Sequence, residues 1–173
     1  MDVTGLKQII RDVPDFPKEG ILFKDITTLL KDPDALKSSI DLLLQECRKY
    51  SIDKVVGIES RGFIIGTPIA LELNAGFIPV RKPGKLPAET ISETYELEYG
   101  TDSIEMHKDA VKPGDKIAVI DDLLATGGTA AAVCNLIEKC GGEPVLTAFL
   151  IELTFLNGRE KLKGRNVFAL LDF

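Results

Sequence analysis

Apolar residues recur along this chain in two rhythms that take turns. Within residues 35–50, Leu36, Ile40, Leu43, Leu44 and Cys47 fall three or four positions apart, the spacing of one buried helix face. Asp32 stands where it can cap that helix, and Pro33 fits its first position, where a missing N–H costs nothing. The next run, Lys54-Val55-Val56-Gly57-Ile58, is short and apolar like a strand, and it ends in Glu59-Ser60-Arg61-Gly62. The pattern then predicts a helix over 63–73, a strand over 77–80, a third strand over 117–120, a helix over 129–140 closed by Gly141-Gly142, and a fourth strand over 145–153. Strands alternating with helices imply crossover connections and therefore a largely parallel sheet of the α/β class. Ligands in such sheets sit at the carboxyl ends of the strands. That rule alone singles out Glu59, Arg81, Asp121 and the loops that follow them.

One stretch does not fit the rhythm. Residues 82–102 carry prolines at 83 and 87 and charges throughout, and they begin in the basic cluster Arg81, Lys82 and Lys85. A long connection with little regular structure reads as an active-site lid, ahead of a plain hairpin, because it starts among those cations.

Composition narrows the class without naming a function. The 173 residues suit one domain, and 45% hydrophobic with 28% charged residues is ordinary for a globular protein. Apolar runs such as 148–151 are far too short to span a bilayer, so no membrane partner is expected. The first residues lack a basic stretch followed by an apolar one, so a cytoplasmic location is expected. Cys47, Cys134 and Cys140 are odd in number and lack metal-ligand spacing, which favours free packed thiols in a reducing compartment. His107 is the single histidine, and its neighbours Glu105 and Lys108 suggest a solvated strand or loop. The net charge of −6 disfavours nonspecific nucleic-acid binding, although local cations can still hold a small anion.

The chemistry concentrates in residues 116–129. An apolar strand delivers Asp121 and Asp122 at its end, and the turn Ala125-Thr126-Gly127-Gly128-Thr129 then opens a helix. Small residues let the backbone approach a phosphate, and N–H groups at a helix start are ready donors to an anion. Thr126 and Thr129 add hydroxyls. The two acids would repel a phosphate, but they suit ribose hydroxyls or a hydrated magnesium ion. Neither G-x-G-x-x-G nor G-x-x-x-x-G-K-[ST] occurs, so the loop is not one of the commoner phosphate loops. Two glycines alone would suggest only a helix cap and a turn; two acids after four apolar residues, followed by A-T-G-G-T, ask for more.

Residues 119–129 resemble the phosphoribosyl pyrophosphate motif of the type I phosphoribosyltransferase family: apolar strand, paired acids, small-residue phosphate loop. Asp15-Phe16-Pro17, the run 20–26, Glu59-Ser60-Arg61-Gly62-Phe63, the run 81–87, Leu97-Glu98-Tyr99-Gly100, and Glu152-Leu153 through Gly158-Arg159 also match, in order and over nearly the whole chain. The resemblance implies an α/β type I phosphoribosyltransferase fold, with a largely parallel central sheet flanked by helices. It also implies one domain over 1–173, with a small N-terminal hood at 1–33 and a flexible flap at 82–102.

By the same resemblance the chain is a purine salvage enzyme. It would convert adenine and 5-phosphoribosyl 1-pyrophosphate to AMP and pyrophosphate, as a homodimer. Asp121 and Asp122 would take the ribose hydroxyls, and the backbone from Ala125 through Thr126, Gly127, Gly128 and Thr129 would cradle the 5-phosphate. Arg61, in a loop whose Glu59–Ser60 peptide is often cis in the family, would meet the pyrophosphate together with Arg81, Lys82 and Lys85, in part across the dimer. Mg2+ would be held mainly by substrate and water, with no protein metal ligand. Glu98 would act as acid or base near N7 of the base, Tyr99 would shield or order the flap, and Gly100 would serve as hinge. Phe23 would stack on adenine with Leu153 on its other face, while the backbone near Leu22 and Lys24 reads the base edge. Many relatives carry arginine where Lys24 stands.

Two other readings stay open at this point. The same fold could serve xanthine, guanine or orotate. A regulatory or binding module could keep the sugar-phosphate loop without turnover, although such a module should have lost Arg61, the basic cluster or Glu98.

Overall fold

A computed structural model describes residues 1–96 and 100–173, which form two compact units, Met1–Leu42 and Leu43–Phe173. In the first unit, α1 (Val3–Ile9) is capped by Asp2, whose Oδ1 accepts the Gly5 N–H at 2.9 Å. The strands β1 (Arg11–Pro14) and β2 (Leu22–Asp25) pair antiparallel, with Arg11 opposite Asp25 and Asp12 opposite Lys24. Their cross-strand partners are ions: Arg11 donates to Asp25, and Lys24 Nζ meets Asp12 Oδ1 at 2.6 Å.

Asp25 also starts α2 (Thr27–Leu30), accepting the Thr27 N–H and its hydroxyl at 2.9 Å each. The Arg11 hydrogen bond first, and those from Thr27 next, hold its carboxyl at about 2, against an ordinary 3.8. A depressed carboxylate stabilises the fold above its unfolded value, and that contribution is lost as pH falls through the folded value. Asp25→Ala is therefore expected to cost about 1 kcal/mol at neutral pH, the scale of a lost local cap. The gap between variant and parent in urea titrations should close as pH falls from near 4 toward 2; a gap that persists there would contradict this account.

The predicted first helix is α3 (Pro33–Cys47), with Asp32 Oδ1 accepting the Ala35 N–H at 2.9 Å. Ile40, Leu43, Leu44 and Cys47 are buried as the periodicity requires, and Leu36 is half-buried. The helix ends before Tyr50 because Lys49 and Tyr50 donate three residues back, to Glu46 and Cys47, in a tightened turn.

The second unit is built on β3 (Lys54–Ile58), α4 (Arg61–Glu72), β4 (Gly76–Val80), β5 (Thr90–Glu96), β6 (Thr101–His107), β7 (Lys116–Leu124), α5 (Gly128–Lys139), β8 (Glu143–Glu152) and β9 (Val167–Asp172). Five strands form one parallel sheet in the order β4-β3-β7-β8-β9. This is the α/β sheet expected from the alternating pattern, with β9 added at one edge. Val56, Ile58, Val119 and Ile117 from the sheet pack with Val133, Leu136 and Ile137 of α5 in a buried cluster. From β3 the chain winds to β4 on one side and later to β7 on the other, so strand order reverses between β3 and β7. A crevice opens at the carboxyl ends of strands at such a reversal. No helix among the described residues is long and apolar enough to cross a membrane.

The stretch expected to hold little regular structure instead contributes to an antiparallel hairpin, β5 paired with β6 from Thr90 opposite His107 to Glu96 opposite Thr101. Ile91, Glu93 and Tyr95 occupy its half-buried positions while Ser92, Thr94 and Glu96 are exposed. A glutamate in the middle of the inward face hides the two-residue period. Glu93 is accommodated there by Lys139 of α5, with Asn135 at 3.4 Å.

Candidate active site

Asp121 and Asp122 lie inside β7, which continues to Leu124 rather than stopping at Ile120 as the apolar run suggested. Pairing with β8, Asp121 opposite Phe149 and Leu123 opposite Ile151, carries the ladder past the acids. Asp122 is only 7% exposed and is tied to Arg61 Nε at the start of α4. Its N–H donates to Asp121 Oδ1 at 2.9 Å. Burial first, and the neighbouring Asp122 charge second, push the Asp121 carboxyl well above the usual carboxylate range.

Gly62 explains how α4 comes so near these acids. A Cβ there would stand 2.8 Å from the Ile120 carbonyl oxygen and 3.0 Å from Asp121 Oδ1, so only glycine lets the helix start against the strand end. The peptide Glu59–Ser60, just before α4, is cis, as the resemblance implied.

The loop between β7 and α5 bends through Gly127 in the left-handed region, φ 79°, and α5 begins at Gly128. It is seated on a second loop by close backbone approach. A Cβ on Gly127 would meet the Gly158 carbonyl oxygen at 2.2 Å, and a Cβ on Gly158 would meet the Ala125 carbonyl oxygen at 2.2 Å. Gly158 is fixed in turn by its neighbour Arg159, which forks onto Glu152 at the end of β8 with contacts of 2.7–3.0 Å. Arg159 also donates to the Val167 carbonyl of β9 at 3.1 Å. Residues 123–130, with Asp121, enclose a small hollow of about 80 Å³.

Beside it lies a larger cavity of about 340 Å³, lined by Glu59, Ser60, Arg61, Arg81, Lys82, Tyr95, Asp121, Asp122 and Thr129, among others. Each basic side chain here has a carboxylate partner. Arg81 Nε and Lys85 Nζ share Glu59 at 2.7 and 2.6 Å. Burial alone would raise Glu59, but hydrogen bonds from Lys85 and Arg81 outweigh it and hold the carboxyl below its usual value. Lys82 is bound to Asp102 and reaches the Tyr95 hydroxyl at 3.3 Å. The cavity therefore presents guanidinium and ammonium groups whose present partners are anions, which phosphate oxygens of the same sign can replace.

The structure thus brings Glu59, Ser60, Arg61, Arg81, Lys82, Asp121, Asp122 and Thr129 to one cavity, with Lys85 attached through Glu59 and residues 125–129 adjoining. Leu153 follows β8 and donates its N–H to the Leu124 carbonyl at 2.9 Å. Leu22, Phe23 and Lys24 belong to β2 in the first unit, where Phe23 meets Phe16 edge to face at 5.2 Å. Glu98 and Tyr99 lie outside the described residues. Sequence reading passed over Tyr95 and Asp102. The signal available for Tyr95 was its place two steps from Glu93 and four from Ile91 on one strand face. Asp102 had none, since it gains meaning only through register with Tyr95 across the hairpin.

Residues 25–167 match the family model of the phosphoribosyl transferase domain. An adenine phosphoribosyltransferase of Halothermothrix orenii is 63% identical over 166 residues, covering 96% of this chain and 98% of that protein. The crystal structure of adenine phosphoribosyltransferase from Thermoanaerobacter pseudethanolicus superposes with a TM-score of 0.96 at 53% identity, covering 99% of each chain. The Saccharomyces cerevisiae enzyme, crystallised with an imino-altritol bisphosphate and adenine, gives 0.91 at 44% identity and 98% coverage of both. Matches of this identity that run almost end to end on both sides leave one assignment: the chain belongs to the adenine phosphoribosyltransferase family of type I phosphoribosyltransferases.

Proposed function

We propose that this enzyme joins adenine to the ribose of 5-phosphoribosyl 1-pyrophosphate, releasing AMP and pyrophosphate, and so salvages a free purine. N9 of the base attacks the anomeric carbon, the bond from that carbon to pyrophosphate oxygen breaks, and its electron pair leaves with the pyrophosphate. Positive charge grows on the sugar and negative charge on the leaving group, so catalysis rests on positioning and on electrostatic stabilisation. The observation that carries the reading is the cavity in which Arg61, Arg81 and Lys82 face Asp121 and Asp122 beside the small-residue loop. Cations for the departing charge, acids for the ribose hydroxyls and backbone N–H groups for the 5-phosphate adjoin one another there.

In this reading Ala125, Thr126, Gly127, Gly128 and Thr129 take the 5-phosphate; Arg61, Arg81 and Lys85 take the pyrophosphate as it displaces their carboxylate partners, and Lys82 takes it with an N–H not used by Asp102 or Tyr95. Glu98 handles the purine proton, Tyr99 shields the site, and Leu22, Phe23, Lys24 and Leu153 recognise the base. The whole chain 1–173 acts as one catalytic domain, with 1–33 as hood and 82–102 as flap. Mg2+ fits a donor set of two acids at a polar cavity, of which Asp121 is partly exposed and Asp122 is engaged by Arg61. It would neutralise charge on the pyrophosphate, and would be held largely by substrate and water, with Asp121 and Asp122 as acceptors for that water. A homodimer is supported by the exposed Ile64 and Leu71 on one side of α4. A cytoplasmic location is supported by the free thiols of Cys47, Cys134 and Cys140.

The test is conversion of adenine with phosphoribosyl pyrophosphate and magnesium, with hypoxanthine, guanine and xanthine run in parallel. Adenine alone should turn over at an enzymatic rate. Each 6-oxo base would set an acceptor where adenine has a donor, a mismatch of about 1–3 kcal/mol per buried group. Preference for another base would reject the adenine assignment, and turnover of none would reject the enzyme.

A further inference from the structure

Lys82 is held more firmly than a cavity lysine needs to be. Its Nζ has three N–H donors; one goes to Asp102 Oδ2 and another reaches the Tyr95 hydroxyl at 3.3 Å. The Tyr95 hydroxyl also donates to the same Asp102 oxygen at 3.3 Å, closing a triangle. Asp102 and Tyr95 stand opposite each other on β6 and β5, so the hairpin register fixes both. The Tyr95 ring lies under the ammonium, 5.8 Å from Nζ to its centroid. It also abuts the phosphate loop, since a Cβ on Gly128 would meet Tyr95 Cδ2 at 3.3 Å. Lys82 and Tyr95 line the cavity, and Asp102 stands outside its lining.

We propose that Asp102 and Tyr95 are positioning residues that hold the Lys82 ammonium for the departing pyrophosphate and tie its place to that of the phosphate loop. This rests on the assignment of Lys82 to the pyrophosphate. A free lysine loses rotamer freedom when it is fixed on a ligand. Two bonds to the hairpin fix it beforehand and leave a third donor for a phosphate oxygen. Asp102 offsets part of the lysine's charge but fixes its place, and the fixed place counts for more.

The experiment is a double-mutant cycle on the full-length enzyme, reading KM separately for phosphoribosyl pyrophosphate and for adenine. Asp102→Ala should raise the first about tenfold, the scale of one charge-assisted contact, and leave the second nearly unchanged. Lys82→Ala should do at least as much, and adding Asp102→Ala to it should do nothing more. Tyr95→Phe, which removes only a hydroxyl, should give a smaller shift in the same constant. If Lys82→Ala raises the constant and Asp102→Ala does not, or if the two effects add in full, the positioning role is overturned while the lysine's assignment stands. A lower constant in Asp102→Ala would mean that the aspartate only competes with pyrophosphate. If Lys82→Ala leaves the constant unchanged, the assignment of Lys82 falls and the proposal falls with it.

Discussion

Gly158→Ala is expected to lower kcat/KM for phosphoribosyl pyrophosphate on the order of 10²-fold, the effect of displacing a binding group by about 1 Å. The added methyl would stand 2.2 Å from the Ala125 carbonyl oxygen and 3.1 Å from its carbonyl carbon, and these are main-chain atoms that no rotamer change can move aside. Either the phosphate loop or the turn that carries Gly158 must shift by about an ångström to restore ordinary contact. The turn is the less free of the two, because Arg159 is forked onto Glu152 and bonded to the Val167 carbonyl. The displacement therefore falls on residues 125–128, whose N–H groups are assigned to the 5-phosphate.

Gly164→Ala is the control. It sits at positive φ, 84°, where Gly158 does not, and nothing lies within 4 Å of its added methyl. It should cost about 1–2 kcal/mol of local backbone strain and leave the kinetics alone. Initial rates with phosphoribosyl pyrophosphate varied, and ribose 5-phosphate binding by calorimetry, would separate the two variants. Equal kinetics in both would mean that the glycine contact does not set the loop.

How far the sequence foretold this arrangement depends on what holds each element. Strand β3 and helices α4 and α5 were legible because burial dictates their patterns: Val55, Val56 and Ile58 are fully or nearly buried, as are Val133, Leu136 and Ile137. The hairpin of β1 and β2 was not legible, because Arg11–Asp25 and Lys24–Asp12 pairs hold it in place of apolar alternation. Strand β9 was missed for another reason. The connection from β8 contains only the short 3-10 turns Thr154–Leu156 and Gly158–Leu162, so the strand–helix rhythm that announces the other strands is absent.

The site shows the same division. Paired acids followed by small residues revealed the sugar-phosphate loop, since that chemistry is local in the chain. The state of the cations was hidden. Arg81 and Lys85 meet a glutamate more than twenty positions away, and Lys82 meets an aspartate twenty positions away. Such pairings follow from sheet and hairpin register, which a linear pattern does not display.

Arg61→Ala is expected to separate activity from stability. Losing a preorganised donor to developing charge lowers kcat by about 10²–10³-fold. The adenine KM should barely change, because the guanidinium is assigned to the leaving group and not to the base. Stability falls as well, because Asp122, 7% exposed, loses its cation while Asp121 stays beside it. Breaking a fully buried pair costs about 3–5 kcal/mol; Arg61 is 41% exposed along its side chain, so a smaller loss is expected, about 1–2 kcal/mol. Adding Asp122→Asn removes the stranded charge and should return most of that stability, read as a denaturation midpoint. It should return none of the turnover, because the asparagine supplies nothing to the pyrophosphate. If the second substitution restored both quantities together, the arginine would be serving the acid pair alone, and the charge stabilisation assigned to it would have to come from Arg81 and Lys82.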